Sequence, residues 1–154
     1  MRIALIGAGG QLGRQIPADV RLGHGDVDVA KPGSISGALD GAGADGVILT
    51  GGCPLCHRVS AIIQREIEMT GIPTVLITVA PEQSRQAGPP RALAPYHFKL
   101  GNSLGGPHQD DLQRKVLMDA LRRWEAREEP GQAWVIVYPE YDSSDWQPVD
   151  LQEG

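Results

Sequence analysis

The chain has 154 residues, 41% of them hydrophobic, and a net charge of -5. This length fits one globular domain, which we expect at residues 1–139 with a C-terminal tail at residues 140–154. The acidic charge, with no cluster of Lys or Arg, argues against binding to nucleic acid or an anionic membrane. No apolar run reaches the roughly 18 residues of a membrane span and no signal peptide is recognisable, so we expect a cytoplasmic protein.

Several short apolar segments predict buried strands of a parallel sheet, because such strands read as continuous apolar runs. A weaker candidate of the same kind is Asp26–Val29. The four stronger segments are Arg2–Ile6, Val47–Thr50, Thr74–Val79 and Trp134–Tyr138.

Three segments between these strands have helical spacing. The clearest has the pattern of an amphipathic helix and is closed by Gly71-Ile72-Pro73; its apolar positions are Leu55, Val59, Ile62, Ile63 and Ile67. A second helix is predicted from Gln109 to about Glu128, ended by Pro130-Gly131, and a shorter one covers Ser34–Leu39.

Strands that alternate with helices predict an α/β fold, doubly wound as in Rossmann and flavodoxin-like domains. We expect a mainly parallel sheet of about four to five strands with helices on both faces and right-handed crossovers. Ligands of such sheets gather at the carboxyl ends of the strands, and Cys53 follows one of these ends. The segment Pro81–Pro107, long and rich in Gly and Pro, is predicted to be a functional or mobile loop.

A glycine loop follows the first strand, with Gly7, Gly10 and Gly13. The opening stretch MRIALIGAGGQLGRQ resembles the start of extended short-chain dehydrogenases that reduce dTDP-sugars, over about the first third of the chain. However, Pro17 interrupts the expected helix, and Tyr96-His-Phe-Lys99 lacks the spacing of that family's catalytic Tyr-x-x-x-Lys. We therefore expect no dehydrogenase activity, and the loop is either a simple turn or a site for a nucleotide or another anion.

The sequence Cys53-Pro-Leu-Cys56-His57 permits several chemistries. It matches the Cys-x-x-Cys-His of haem attachment, which needs export. It contains legitimate zinc ligands, although a structural zinc site usually has four protein ligands, for which the remaining candidates are His24, His97 and His108. The cysteines could also be a structural pair. We expect no bound metal.

Redox or nucleophilic chemistry fits this motif best. Pro54 suits the first position of a helix, which makes Cys53 the N-cap, with its sulfur facing unpaired amides and the positive end of the helix dipole. This setting favours the thiolate. Cys56, one turn further on, is placed to resolve a bond formed by Cys53, and His57 either assists proton transfer or points to solvent.

From about residue 45 to residue 127, the chain resembles the selenoprotein B family of glycine, sarcosine, betaine and D-proline reductases, in a cysteine-containing form. The resemblance rests on the order and spacing of five segments: CPLC after a strand, QREIEMTGIPTVLITV, AGPPRALAP, GNSLGGP and QRKVLMDALRRW.

The resemblance implies a reductase in which Cys53 attacks the α-carbon of an amino-acid-like substrate and Cys56 resolves the adduct, so that a carbon–heteroatom bond is reductively cleaved. Arg91 and Asn102 match recurring positions of the long loop, and Arg91 either holds a substrate carboxylate or ties the loop to the sheet. Gly52 and His57, beside the cysteines, are further candidates for substrate contact.

The family also implies partners. Its reductases use a pyruvoyl group from another subunit and an external dithiol or thioredoxin-like reductant, and we expect a small-molecule substrate and a homo-oligomer. This chain has no selenocysteine, so an easier electrophile is an alternative substrate. A non-catalytic nucleotide-binding or phosphate-binding module and a small zinc protein are the other readings of the sequence.

Overall fold

The computed structural model describes residues 3–6, 20–22, 33–124 and 130–141. The strands are β1 (Ile3–Ile6), β2 (Val20–Leu22), β3 (Gly46–Thr50), β4 (Thr74–Ile77), β5 (Ala92–Pro95) and β6 (Ala133–Ile136). The helices are α1 (Ser34–Ala42), α2 (Pro54–Met69), α3 (Pro81–Arg85) and α4 (Asp110–Arg123). Within these ranges the strands form one sheet of order β2-β1-β3-β4-β5-β6, and every neighbouring pair is parallel. The α/β doubly wound class is confirmed.

Most of the predicted elements are present, but two strands were not anticipated. The segment Pro81–Pro107 is not a loop, because it contains α3 and β5. The other unanticipated strand is β2, which has three residues and a charged centre at Arg21. The predicted strand at Asp26–Val29 lies outside the described residues, as do the glycine loop and most of the predicted tail.

Each face of the sheet has its own hydrophobic core. Alternate residues of β4 divide between them, because successive side chains of a strand point to opposite faces. Val75 and Ile77 join the core under α4, whereas Leu76 joins the core under α1 and α2. The helices therefore cover both faces, as predicted.

The two cores show that not every crossover has the same hand. The connection from β3 to β4 through α2 and the connection from β5 to β6 through α4 step across the sheet in the same direction. Their helices nevertheless lie on opposite faces. The expectation of uniformly right-handed crossovers is therefore wrong, since one of these two must be left-handed, a rare arrangement.

Helix α2 presents a different face to the protein than its apolar pattern suggests. An amphipathic helix would turn its apolar stripe inward. Instead, the buried face is largely polar and consists of His57, Ser60, Ala61, Gln64 and Ile67. Gln64 is satisfied by donating a hydrogen bond of 2.7 Å to the Arg91 carbonyl. Much of the predicted stripe, including Leu55 and Ile62, lies on the solvent side.

The amino end of β3 is closed by an aromatic side chain. A Cβ atom added to Gly46 would lie 1.5 Å from Cζ2 of Trp124, the residue that caps the C-terminus of α4. Only glycine leaves room for this indole. The carboxyl end of the same strand leads into the cysteine motif.

None of the helices in the described parts of the chain is long and apolar enough to span a membrane.

Candidate active site

Cys53 caps the N-terminus of α2, as predicted. The residue is extended, with φ -140° and ψ 162°, and Pro54 opens the helix. The Cys56 amide donates a hydrogen bond of 3.1 Å to the Cys53 Sγ. The sulfur thus takes up one of the amides that have no partner within the helix, and it lies at the positive end of the helix dipole.

Cys53 and Cys56 form a disulfide, with their Cα atoms 5.0 Å apart. Both residues are half-buried. The disulfide is therefore partly exposed at the first turn of α2. In this oxidised state neither sulfur is available to zinc or haem, and among the described residues no group of three or more His, Cys, Asp or Glu side chains is placed to hold a metal ion.

The turn between β3 and Cys53 depends on Gly51. A Cβ atom at this position would lie 2.9 Å from the His57 amide nitrogen and 3.0 Å from the Cys56 carbonyl carbon. Glycine therefore lets the start of α2 pack tightly against the end of β3. Gly52 is exposed, and a Cβ atom there would meet open space. Gly52 consequently leaves the approach to Cys53 clear.

A second loop packs against this turn from the carboxyl end of β5. Its anchor is Ser103, whose buried hydroxyl donates a hydrogen bond of 2.9 Å to the Gly51 carbonyl. The neighbouring Asn102 is half-buried, and its amide contacts the Tyr141 hydroxyl at 3.4 Å. The structure thus brings the Asn102 loop to the cysteine turn. Sequence reasoning missed Ser103, although it lies inside the GNSLGGP segment.

His57 does not point to solvent, which corrects one of the two expectations for its ring. The residue is fully buried, and its two ring nitrogens have no hydrogen-bond partner within the described chain. Burial lowers the pKa of His57, because desolvation penalises the imidazolium. The ring is therefore neutral at physiological pH, directly after Cys56 in the first turns of α2.

Arg91 lies at the amino ends of the strands, whereas the cysteines lie at the carboxyl ends. It precedes β5, and its Nε donates a hydrogen bond of 3.0 Å to the carbonyl of Thr74, the first residue of β4. Its guanidinium also pairs with Glu68, which in turn accepts a hydrogen bond from the Thr74 hydroxyl at 2.6 Å. In this structure Arg91 ties the β5 entry to α2 and β4, and the structure does not bring it to Cys53.

Of the other candidate binding residues singled out in the sequence, the structure describes only His97 and His108, and neither forms part of a metal-binding group among the described residues. Gly7, Gly10, Gly13 and His24 lie outside the described residues. His97 and His108 are exposed and have positive φ angles of 62° and 61°, each in its own loop.

The strand order places the cysteines at the topological switch point of the sheet. From β1 the chain passes to β2 on one side and then to β3 on the other. In open α/β sheets, the crevice outside the carboxyl ends of the strands at this reversal is the usual ligand site. The fold and the site together define an α/β protein with a half-buried disulfide at the carboxyl ends of its strands, where open α/β sheets usually bind ligands.

One comparison with known proteins agrees with this chemistry. The chain is 40% identical, over 89 residues, to D-proline reductase subunit gamma of Acetoanaerobium sticklandii. The matched region is 58% of this chain and 36% of that protein, so the chain spans about a third of the length of this relative. The likeness supports a role related to that of a reductase. No family model and no solved structure matches the chain.

Proposed function

We propose that this protein is a cysteine-dependent reductase, or a subunit of one, that cleaves a carbon–nitrogen bond of a small amino-acid-like substrate. Cys53 is the nucleophile and Cys56 is the resolving thiol. The observation that carries this proposal is the Cys53–Cys56 disulfide at the N-terminus of α2, at the carboxyl edge of the sheet. The likeness to a D-proline reductase subunit supports the same chemistry.

The proposed reaction oxidises the two thiols and reduces one carbon atom. The Cys53 thiolate attacks the substrate carbon next to the carboxylate, so that a C–S bond forms, the C–N bond breaks and the leaving amine takes up a proton. The Cys56 thiolate then attacks the Cys53 sulfur. The electron pair of the C–S bond passes to the carbon, which is protonated, and the disulfide forms. An external dithiol, free or on a thioredoxin-like protein, returns the pair to its reduced state.

The local structure favours both halves of this cycle. The Cys56 amide and the dipole of α2 stabilise negative charge on the Cys53 sulfur, which keeps it ionised for the first step and makes it a good leaving group when an external thiol later attacks Cys56 of the disulfide. The disulfide is the product state of the reaction. The first turn of α2 holds the two sulfurs within bonding reach, so the resolving step needs little movement of the backbone.

The substrate is proposed to lie over Gly52, between the cysteine turn and the loop that carries Asn102. Gly52 is exposed beside Cys53, and Ser103 fixes the loop against the turn. His57 is assigned no proton-transfer role, because its ring is buried and desolvation disfavours its charged form. Arg91 is assigned no substrate contact, because its guanidinium is bound at the other edge of the sheet.

D-proline is the first substrate to test, given the name of the relative. A pyruvoyl group on a partner subunit, which the resemblance implies, would activate the amine as a leaving group. We therefore propose that the reaction takes place in a complex with such a subunit.

Intact-mass spectrometry of cysteine variants tests the proposal. The Cys56→Ser variant, in complex with its partner subunits and incubated with D-proline, should gain the mass of one proline, because ring opening keeps the amine in the adduct. The Cys53→Ser variant should gain nothing, and wild type should release a linear 5-aminopentanoate. A double variant that turns over as well as wild type would refute the proposed function.

A phosphate-binding role for the glycine loop is the second candidate. β1 ends at Ile6, beside β3 at the switch point, and Gly7, Gly10 and Gly13 follow it in sequence. Calorimetry with nucleotides tests this role. A Gly10→Asp variant that binds as tightly as wild type would exclude the loop as the site.

A further inference from the structure

The outer face of α2 is an apolar surface without a partner in the described chain. Four of the ten large apolar side chains that are exposed there belong to this one helix. Their exposed fractions are 67% for Leu55, 39% for Val59, 47% for Ile62 and 73% for Met69. They are spaced three, four or seven residues apart, and they lie opposite the buried face of the helix. We call these four residues the α2 stripe. Large contiguous apolar patches on a protein surface are typical of interaction sites.

Charges flank the α2 stripe in a self-complementary order. Arg58 and Glu66 are both exposed, and each lies four residues from Ile62, one toward either end of the helix. Leu55 and Met69 are each seven residues from Ile62. If a second copy of the helix is turned end for end about Ile62, Arg58 lies at the level of the second copy's Glu66. Leu55 then lies at the level of the second copy's Met69.

A groove beside the α2 stripe fits the side chain that this arrangement brings to it. The groove has a volume of about 500 Å³ and is lined by Ile62, Arg65, Glu66, Glu68, Met69 and Pro90. Leu55 is the stripe residue near the other end of the helix, and it projects into solvent. The reversed arrangement brings the second copy's Leu55 to the level of Met69, which lines this groove.

We propose that the α2 stripe is a homodimer interface, in which two copies of α2 pack antiparallel across a two-fold axis near Ile62. A two-fold interface uses the same patch on both subunits, so the patch must complement itself. The α2 stripe meets this requirement in both its apolar contacts and its charges.

The charges favour the antiparallel arrangement over the parallel one. In a parallel pair, Arg58 would face Arg58 and Glu66 would face Glu66, and the helix dipoles would point the same way. Arg65 does not compete with Arg58 for the second copy's Glu66, because its guanidinium donates a hydrogen bond of 3.3 Å to the Ala87 carbonyl at the side of the helix. The face near Ile62 therefore keeps one positive and one negative side chain.

The dimer would place a second copy beside the redox pair. Leu55 lies between Cys53 and Cys56 in sequence, and Pro54 and Leu55 are exposed at the start of α2. The Met69 end of the second helix would thus form one wall of the entrance to the disulfide, while Gly52 remains open.

Sedimentation velocity of the full chain tests the interface. Wild type should sediment as a dimer at tens of micromolar, and Ile62→Glu should sediment as a monomer, because two carboxylates would meet at the axis. Arg114→Glu, at an exposed position of α4 on the other face of the sheet, should leave the dimer intact. A wild-type monomer, or a dimer indifferent to Ile62→Glu, would overturn the proposal and leave the stripe to a different partner.

Exchange of the charges at Arg58 and Glu66 distinguishes the antiparallel dimer from other dimers. Arg58→Glu and Glu66→Arg should each weaken the dimer at least several-fold, and the double variant should restore it, because only the reversed pairing rejoins opposite charges. Failure of the double variant to recover would contradict the antiparallel geometry. In a Cys53→Ser and Cys56→Ser background, Ile62→Cys should form an intermolecular disulfide on oxidation, whereas Arg114→Cys should not. The absence of this crosslink would also count against the two-fold axis.

Discussion

The Ser103 hydroxyl donates a 2.9 Å hydrogen bond to the Gly51 carbonyl, and this contact joins two segments 52 residues apart in sequence. Gly51 follows β3 in the turn that leads to Cys53, and Ser103 belongs to the loop that follows β5. The bond is buried, so it fixes the distance between the cysteine turn and the Asn102 loop. This contact therefore contributes to the shape of the proposed substrate site.

Removal of the Ser103 hydroxyl should loosen the site. Ser103→Ala leaves the Gly51 carbonyl buried without this donor, so we expect a loss of about 1 to 3 kcal/mol in the free energy of unfolding. Urea unfolding measures the loss, and substrate turnover should fall with it. Asn102→Ala is the matched control for the loop, since the Asn102 amide makes only a 3.4 Å contact, and it should cost less stability than Ser103→Ala.

The two glycines before Cys53 should respond differently to a methyl group. Gly51→Ala would force a Cβ atom to within 2.9 Å of the His57 amide nitrogen, and we expect it to cost about 1 to 3 kcal/mol. Gly52→Ala meets open space and should leave stability nearly unchanged, while it slows the attack of the reduced protein on bulky electrophiles. Thermal unfolding and alkylation rates of the two variants provide the test. Equal losses of stability would contradict the described turn.

Arg91 is predicted to act on stability and not on catalysis. Arg91→Ala removes the bonds to Glu68 and the Thr74 carbonyl, and should lower the free energy of unfolding by about 1 to 3 kcal/mol. The alkylation rate of Cys53 should not change. Arg85→Ala, which breaks an exposed pair with Glu82, is the control and should cost about 0 to 1 kcal/mol. If Arg91→Ala instead raises KM for the substrate and leaves stability unchanged, the result would show that Arg91 contributes to substrate binding.

His57 should make the protein less stable at acidic pH. Its folded pKa lies below the value of about 6.5 in the unfolded chain, because burial disfavours the charged ring. The stabilisation is therefore complete above about pH 6.5 and is lost as the pH falls toward the folded pKa, where the unfolded chain binds the proton more readily. Between about pH 7.5 and about pH 5.5, wild type should therefore lose more stability than His57→Gln.

The control for this pH dependence is His108→Asn, because His108 is exposed and Asn tolerates its positive φ. This variant should keep the full acid sensitivity of wild type in urea unfolding. If His57→Gln remains as acid-sensitive as wild type, the buried imidazole is not the source of the effect.

Sequence reasoning located the elements with strong local signals. The cap at Cys53 follows from Pro54 and the glycines before it, since these act on adjacent backbone. β2 was missed because it has only three residues and a charged centre, and β5 because it ends at Pro95 inside a segment rich in Gly and Pro. Their identity as strands comes from pairing with β1 and β4, which only the folded chain provides.

The position of Cys53 at the start of α2 was predictable from the sequence, whereas the packing around it was not. Ser103 and Gly51 meet through long-range packing, which no spacing in the sequence reveals. The helical period of α2 was read correctly, but not which face lies inward. His57 and Gln64 are buried because α3 and the β5 entry pack there, while Ile62 remains outside. Apolar pattern alone does not distinguish a core from an interface.

Helix α2 has 16 residues, with Cys53 before its first turn and Glu68 in its last. The N-terminal end of the helix orients the sulfurs, and at the C-terminal end Glu68 bonds to Thr74 and Arg91. Insertion or deletion of a single residue between them would rotate one end relative to the other by about 100°. The number of residues in this helix is therefore constrained far more tightly than their identity, and length variation in related proteins should fall elsewhere.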